Sequence, residues 1–368
     1  MGLEYATYVK ATQYKINENK LDISILICTY NSAEKLEKTL NHIKEQEEIN
    51  NIGLEVLIVD YKSSDDTLGV ARRFWSDCSI PLRLLSEPLP GKTPALETGF
   101  RQAKGTGVCI VDDDNWIKSN YVFLANKVLK ENPDVGIIGA YGLAHCEVEP
   151  PDWFIESQSS YAVGHQCYET GYVKDVNRLW FWGAGSVVRR AAWIAAKERG
   201  FIPFLNPSRE HGSTEFKTGF TGGEDPELCY AIQLVGYKIW YERDLIYTHY
   251  IPKARLTEKY LTDTSSGVQV AAPILRLYLS ELLQNCFVGR FRNFVYQRWG
   301  LHVTYICFIY VKLIVFVYFG THKNKALQVA VINKSYSSQL RALIGLRKDF
   351  PIIINSIRKL KINSQETF

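Results

Sequence analysis

Short apolar runs alternate with amphipathic helical patterns over the first 140 residues of the chain. The runs, rich in β-branched residues, lie at residues 23–28, 55–60, 82–86 and 108–113, and the helical patterns lie at residues 32–46, 65–75 and 93–103. Strands that alternate with helices are typical of βαβ units. The pattern therefore predicts an α/β fold with a Rossmann-like, mainly parallel sheet flanked by helices.

Polar side chains follow the strands of this predicted sheet. They are Thr29, Tyr30 and Asn31 after the first strand, Asp60 at the end of the second, and Asp112, Asp113 and Asp114 at the end of the fourth. The carboxyl ends of parallel strands meet at one edge, where ligands bind. Consecutive carboxylates repel one another, and oxygen ligands suit Mg²⁺ or Mn²⁺, which often binds substrate phosphates as well. The alternative for the acidic triplet is a solvated turn.

A second acidic pair, Glu224-Asp225, follows Gly222-Gly223 and opens a helix predicted over residues 227–235. A carboxylate facing a cleft there could take a proton from a hydroxyl group. The alternative is simple capping of the helix N-terminus.

Three basic side chains could serve the same ligand. His249 follows a strand-like run and could bind a metal or a phosphate. Lys92 and Arg255 could neutralise a diphosphate. The alternatives are a structural histidine and two surface cations. Trp180 and Trp182, which flank Phe181, could stack on sugar rings of an acceptor or could belong to the core.

The charge of the chain is divided unevenly. The net charge is +4, but residues 286–368 contain 13 Lys and Arg against two acidic residues, a net charge of +11, which leaves −7 for the remainder. An acidic body with a basic helical tail suggests a head that rests on an anionic surface. We accordingly divide the chain into residues 1–115, 116–260 and 261–368.

The tail contains two patterns that could meet a membrane. Residues 303–319 are apolar except for Thr304 and Lys312, and three interpretations are open: an interfacial helix or hairpin, a spanning helix, or a buried core or oligomer contact. Ile353, Ile357 and Leu360 recur at helical spacing beside basic residues, a pattern suited to anionic lipid or to a helix folded on the body.

Cysteine usage and the N-terminus favour the cytoplasm. The eight cysteines include no CxxC pair, so we expect all of them to be reduced. The first residues contain no apolar run of the signal-peptide type. The predicted location is cytoplasmic, peripheral at the cytoplasmic face of the membrane.

Several segments of the sequence resemble those of the family 2 glycosyltransferases, which have the GT-A fold. The resemblance covers about residues 22–260, in the family's order, with segments such as SILICTYNSAEKLEKTL, LEVLIVDYKSSDDT, PGKTPALETGFRQAKG, VCIVDDDNW, FWGAGSVVRR and GGEDPELCYAIQLVGYKIW. The usual VDDGS run reads VDYKSS here, so the loop near the base differs. Gln297-Arg298-Trp299 lacks the QxxRW spacing of the processive synthases, which favours a single-transfer enzyme.

The resemblance implies a role for each candidate residue. The residues implied to bind the nucleotide sugar are Thr29, Tyr30, Asn31, Asp60, Lys92, Asp112, Asp113 and Arg255. The implied metal ligands are Asp114, Asp112 and His249. Asp225 is the implied catalytic base, assisted by Glu224, and Trp180 and Trp182 are implied to bind the acceptor. The cofactor is Mn²⁺ or Mg²⁺, because Asp112 to Asp114 stand where the DxD motif belongs.

The implied activity is inverting transfer of a hexosyl group from a nucleotide diphosphate sugar, with UDP expected, to a hydroxyl of a glycan or lipid-linked acceptor in surface polysaccharide synthesis. The anionic membrane surface is the other expected partner, and nucleic acid is not one. Two alternatives remain open: a sugar nucleotidyltransferase, which would be expected to have a Gly-rich phosphate loop where TYNSAEK stands, and a non-catalytic scaffold that retains the fold.

Overall fold

The computed structural model describes residues 21–205, 222–284, 287–320 and 324–362. Its strands are β1 (Leu21–Thr29), β2 (Leu54–Asp60), β3 (Leu82–Ser86), β4 (Gly105–Ile110), β5 (Asn115–Ile117), β6 (Val135–Cys146), β7 (Gly171–Tyr172), β8 (Val187–Arg189) and β9 (Lys238–Ile251). Its helices in the body are α1 (Leu36–Lys44), α2 (Thr67–Phe74), α3 (Lys92–Gln102), α4 (Tyr121–Glu131), α5 (Phe154–Ser157), α6 (Arg190–Glu198) and α7 (Glu224–Leu234). The tail helices are α8 (Glu258–Leu282), α9 (Phe287–Tyr296), α10 (Trp299–Phe319), α11 (Lys325–Gly345) and α12 (Phe350–Leu360).

The strands form one sheet in the order β3-β2-β1-β4-β8-β6-β9-β5, with β7 paired to β9. The first four strands are parallel, as the alternating pattern predicts. The second half is mixed, because β8 runs antiparallel to both β4 and β6, while β6 and β9 are parallel. The expected α/β fold is confirmed, and its parallel part lies within residues 1–115, where most of the residues predicted to bind the nucleotide sugar are found.

The central strand β1 is buried on both faces, which explains its continuous apolar run. Ile23, Ile25 and Ile27 point to one face, where they pack with Leu36 and Leu40 of α1. Alternate residues point to the other face, toward α3. Helices thus cover both sides of the sheet, and its carboxyl edge stays open for a site.

The ends of most predicted elements differ from the structure, as the starts of α1 and α7 show. The helix predicted over residues 32–46 is α1, and it begins only at Leu36. Asn31, which precedes it, has a left-handed backbone with φ 47°, and its side-chain oxygen accepts a hydrogen bond from the backbone N–H of Ser64 at 2.7 Å. Helix α7 begins three residues earlier than predicted, so Glu224 and Asp225 lie in its first turn.

The basic C-terminal region is helical, as predicted, but the apolar stripe predicted for α12 does not face outward. Ile353, Ile357 and Leu360 are buried and pack with α7 and α8. The interpretation of this helix as a lipid-facing element is therefore wrong, and the alternative of a helix folded on the body is correct. Seven of the cysteines fall in the described ranges and are free, and Cys286 lies outside them.

Candidate active site

The loops after β1 and β2 are joined by hydrogen bonds at the carboxyl edge of the sheet. The backbone N–H of Asn31 donates to Ser63 Oγ at 2.8 Å. Asp60, which is buried, accepts from the backbone N–H of Ser63 at 3.2 Å and also from its hydroxyl. Tyr30 stacks on Tyr61 with ring centroids 5.6 Å apart. The residues expected at a nucleobase therefore form one connected corner.

Asp113 is an internal anchor of this corner. Its carboxylate accepts hydrogen bonds from Thr29 Oγ1 at 2.9 Å and from the hydroxyl of Ser32, and it forms an ion pair with Lys35 at 2.7 Å. Thr29 has no exposed surface. Thr29 and Asp113 thus bind each other, and they fix the loop after β1 to the end of β4 and leave other groups to face a ligand.

Asp114 lies among three cationic or ionisable nitrogen groups. Its carboxylate is 3.3 Å from Arg255 Nη1, 3.7 Å from His249 Nε2 and 3.8 Å from Lys35 Nζ. Burial opposes ionisation of Asp114, but the neighbouring His249, Arg255 and Lys35 hold the pKa of this carboxyl well below its usual range. Asp114 is therefore an anion at neutral pH.

The backbone of Tyr161 orients His249. The ring Nδ1 donates to the carbonyl oxygen of Tyr161 at 2.7 Å, which leaves Nε2 as the ring atom that faces Asp114 and Arg255. The hydroxyl of Tyr161 also donates to the carbonyl oxygen of Arg255 at 2.9 Å. One tyrosine thus positions both of these predicted site residues.

Lys92 interacts electrostatically with both the acidic triplet and the acidic pair Glu224-Asp225. Lys92 is the first residue of α3, and its ammonium group lies 2.5 Å from Asp112 Oδ1. Burial opposes protonation of Lys92, but the negative charges of Asp112, Asp225 and Glu224 raise its pKa well above the usual value. Residues from three distant parts of the sequence therefore interact electrostatically at this lysine.

The first turn of α7 points its carboxylates into the same region. Gly223, with φ 101°, precedes the helix in a backbone conformation that favours glycine. The Asp225 carboxylate lies against Gly183, whose backbone N–H favours the ionised form of this carboxylate. Burial raises the pKa values of both Glu224 and Asp225 above their usual ranges, although the positive charge of Lys92 opposes this. Such carboxylates hold a proton more readily than exposed ones.

A small cavity of about 50 Å³ lies beside this pair, between α3, β8 and α7. Thr93 Oγ1 and Glu224 Oε2, from residues that line it, are buried and without a hydrogen-bond partner in the described part of the chain. Buried polar atoms normally have partners, so both atoms have hydrogen-bonding capacity left for a ligand or water.

The arrangement around Asp114 fits a divalent ion that also binds substrate. Asp114 Oδ1 and His249 Nε2 are close enough to share one ion, and the contact between Nδ1 and a carbonyl is the usual support of a metal-binding histidine. Among the described residues, no three His, Cys, Asp or Glu side chains are grouped to hold a metal ion. Substrate oxygens would therefore have to supply the remaining ligands. Asp112, the other predicted ligand, is paired with Lys92.

The two tryptophans differ in environment. Trp180 packs against two of the apolar clusters, on the side of the core. Trp182 is half-buried, and its backbone N–H donates to Gln166 Oε1 at 2.7 Å. Trp180 is half-buried as well, so the acceptor-binding role stays a prediction for both rings.

Sequence reasoning missed Lys35, Tyr161 and Gly183. Lys35 belongs to a helical pattern and Tyr161 to an irregular segment, so neither carries a local signal of function. Gly183 does carry one, in the run Gly183-Ala184-Gly185. A Cβ atom at Gly183 would lie 2.2 Å from Asp225 Oδ1, so only glycine lets this carboxylate approach.

Comparison with known proteins identifies the first half of this site. Residues 24–192 match the model of glycosyl transferase family 2. The chain contains a family 2 glycosyltransferase domain. The resemblance proposed from the sequence is thereby confirmed, while Glu224, Asp225, His249 and Arg255 lie beyond the matched residues.

Several curated proteins are similar to parts of the chain. Glycosyltransferase GlyA of Streptococcus pneumoniae is 23% identical over 65% of this chain and 32% of its own length. Glycosyltransferase AglE of Haloferax volcanii is 33% identical over 25% of this chain and 30% of its own length. The poly(ribitol-phosphate) beta-N-acetylglucosaminyltransferase TarS of Staphylococcus aureus is 25% identical over 44% of this chain and 30% of its own length. The matches span about a third of these relatives.

Solved structures resemble the chain at low identity. The structure of S. aureus TarS 1-349 in complex with UDP has a TM-score of 0.47 and 17% identity, over 89% of this chain and 92% of that one. The mannosyltransferase PcManGT of Pyrobaculum calidifontis, in complex with GDP-Man and Mn2+, has a TM-score of 0.45 and 18% identity, over 98% and 92%.

Proposed function

We propose that this protein transfers a hexosyl group from a nucleotide diphosphate sugar, with UDP as the expected nucleotide, to a hydroxyl of a glycan or lipid-linked acceptor. The observation that carries the proposal is that Asp112 pairs with Lys92, the first residue of α3, while Asp225 lines the same cavity as Thr93, the next residue of that helix. A donor diphosphate and an acceptor hydroxyl must lie side by side for transfer, and this arrangement brings candidate residues for both into one region of the described chain.

The names of two relatives support the class of donor. TarS is called an N-acetylglucosaminyltransferase, and a protein of Borreliella burgdorferi that is 25% identical over 32% of this chain is called a cholesterol galactosyltransferase. Both transfer hexosyl groups, and their acceptors differ. We therefore propose a hexosyl donor for this chain, with a single transfer in surface polysaccharide synthesis at the cytoplasmic face of the membrane.

On the donor side, the chain binds and orients a diphosphate. Asp114 and His249 would hold Mn²⁺ or Mg²⁺, which when bound neutralises charge on the diphosphate. Arg255 and Lys92 place two further positive charges at the same edge of the sheet. These charges stabilise the negative charge that develops on the leaving nucleoside diphosphate. Asp60 and Tyr30 stand at the corner proposed for the base.

On the acceptor side, Asp225 acts as the general base. Its carboxylate takes the proton of the acceptor hydroxyl, whose oxygen forms a bond to the anomeric carbon of the donor as the bond from that carbon to the diphosphate breaks. The hydroxyl attacks opposite the leaving group, so a single displacement inverts the configuration. The raised pKa of Asp225 makes it a better proton acceptor than an exposed aspartate.

Substitution of Asp225 tests this assignment. A panel of nucleotide sugars is first screened with Mn²⁺ by thermal shift and by slow hydrolysis, to find the donor. With that donor, Asp225→Asn should abolish hydrolysis and transfer, because an amide cannot accept the proton, yet it should leave the donor-induced thermal shift nearly intact. Asp244→Asn, at an exposed aspartate of β9, is the matched control and should retain both.

Two outcomes contradict the proposal. Equal loss of donor binding and turnover in Asp225→Asn would remove Asp225 from the role of base. Release of pyrophosphate, in place of a nucleoside diphosphate, would assign the protein to the nucleotidyltransferases.

A further inference from the structure

Helices α9 and α10 each expose aromatic and aliphatic side chains. We define the apolar face as Phe287, Phe291 and Phe294 of α9 with Phe308, Val315 and Phe319 of α10. Phe287, Phe308 and Phe319 are 80%, 64% and 82% exposed, so these side chains lie outside the hydrophobic core. The spacing of four and three residues in α9, and of seven and four in α10, places each set along one side of its helix.

The opposite side of α10 is packed on the body of the protein. His302, Ile306 and Val317 are buried. Trp299 Nε1 donates to the carbonyl oxygen of Leu343 at 2.8 Å, and the hydroxyl of Tyr310 donates to Asn333 Oδ1 at 2.8 Å. Helix α10 is long and apolar enough to cross a membrane, with a mean hydropathy of 2.0. These bonds to α11 nevertheless hold one side of it against protein, which favours a helix that lies on a membrane over one that crosses it.

The charge of this region discriminates between a second copy of the chain and a lipid surface. No Asp or Glu occurs between residues 287 and 348, whereas ten Lys and Arg do. Arg290 and Arg298 are exposed at the apolar face, and Lys312 lies in the same stripe of α10 as Phe308 and Val315. A symmetric contact between two copies would set these cations against one another. An anionic bilayer would pair with them, since long basic side chains bury their stems and keep their charges at the headgroups.

We propose that the apolar face of α9 and α10 docks on the surface of an anionic lipid bilayer, with the helices still folded on the protein. The aromatic rings enter the boundary between headgroups and acyl chains, and the arginines and Lys312 contact the phosphates. The proposal does not depend on the proposed reaction, because vesicle binding is measured without donor or acceptor.

Flotation of the full-length protein with vesicles tests the proposal. Vesicles of equal parts phosphatidylcholine and phosphatidylglycerol should carry the protein to the top of the gradient, and vesicles of phosphatidylcholine alone should carry far less. The double variant Phe308→Glu/Val315→Glu should bind the anionic vesicles about tenfold less or weaker still, since each carboxylate must be removed from water and repels the lipid charge.

The matched control is Leu89→Glu/Leu143→Glu, which adds the same two charges at exposed leucines of the body. It should bind the vesicles as the unchanged protein does, and the circular dichroism of all three proteins should agree. Equal vesicle binding by both double variants would overturn the proposal.

Two further outcomes would also overturn it. If the unchanged protein ignores both kinds of vesicle and is a dimer that Phe308→Glu/Val315→Glu converts to a monomer, a second copy covers the apolar face. If the protein stays in cell membranes after alkaline carbonate extraction, α10 crosses the bilayer and does not lie on it.

Discussion

At the scale of single residues, the site depends on how closely Asp225 can approach the backbone of residue 183. The Asp225 carboxylate lies against Gly183, and a Cβ atom at residue 183 would lie 2.2 Å from Asp225 Oδ1. A glycine before an ordinary core strand would tolerate replacement by alanine. The position of the proposed base therefore depends on the lack of a side chain at residue 183 as well as on Asp225.

Gly183→Ala should therefore reduce transfer by roughly a hundredfold, because displacement of a reacting group by about 1 Å can have that effect. The added methyl group would displace the carboxylate and leave the sheet in place, so the donor-induced thermal shift should persist. Gly300→Ala is the control, since nothing lies within 4 Å of a Cβ atom there. An unchanged rate in Gly183→Ala would mean that the position of Asp225 is not critical.

The residue scale also marks what the sequence could predict. Asp60 and Asp112 to Asp114 could be found because they end apolar runs, and strand ends converge in a parallel sheet. Lys35 and Tyr161 could not be found, because Lys35 reaches Asp113 across 78 positions and Tyr161 reaches His249 across 88. Their roles exist only in the folded chain.

At the scale of elements, the periodic segments were predictable and their ends were not. The strand predicted at residues 82–86 is β3, with the same bounds. Helix α7 starts earlier than predicted because Glu224 and Asp225 join its first turn, which a rule based on apolar spacing does not detect. The antiparallel strand β8 was missed, since it has only three residues.

Helix α7 is also joined to its neighbours by one buried carboxylate. Glu227 is fully buried, and it accepts hydrogen bonds from the backbone N–H groups of Phe204 and Leu205 at 2.9 Å each and from the hydroxyl of Tyr278 at 3.0 Å. Three donors converge on two oxygens. Glu227 therefore connects the first turn of α7 to the preceding segment and to α8.

Glu227→Gln should destabilise the protein by about 1–3 kcal/mol, because the amide group turns a donor toward a backbone N–H and leaves buried groups unpaired. Chemical denaturation monitored by tryptophan fluorescence measures the change. Glu198→Gln, at an exposed position of α6, should change the free energy of unfolding by less than about 0.5 kcal/mol. Equal stability of the two variants would show that the three hydrogen bonds contribute little.

At the scale of the whole molecule, the tail shares a core with the body. One apolar cluster contains residues of α6 and α7 together with residues of every tail helix from α8 to α12. The boundary proposed near residue 260 therefore separates regions of different composition and charge, but it does not separate two hydrophobic cores. Composition reveals such a shift in charge, whereas the sharing of a core depends on long-range packing that no local pattern records.

This shared core predicts that the tail and the catalytic half unfold together. Ile357→Ala removes a fully buried side chain of α12 and should lower the free energy of unfolding by about 2–5 kcal/mol. The loss of helix by circular dichroism and the loss of donor-nucleotide binding should shift to the same lower temperature, because α12 packs directly on the cluster that contains α7. Ile352→Ala, at an exposed isoleucine of the same helix, should shift neither transition. Were the tail an independent unit, Ile357→Ala would move the helical signal alone and leave nucleotide binding at its original midpoint.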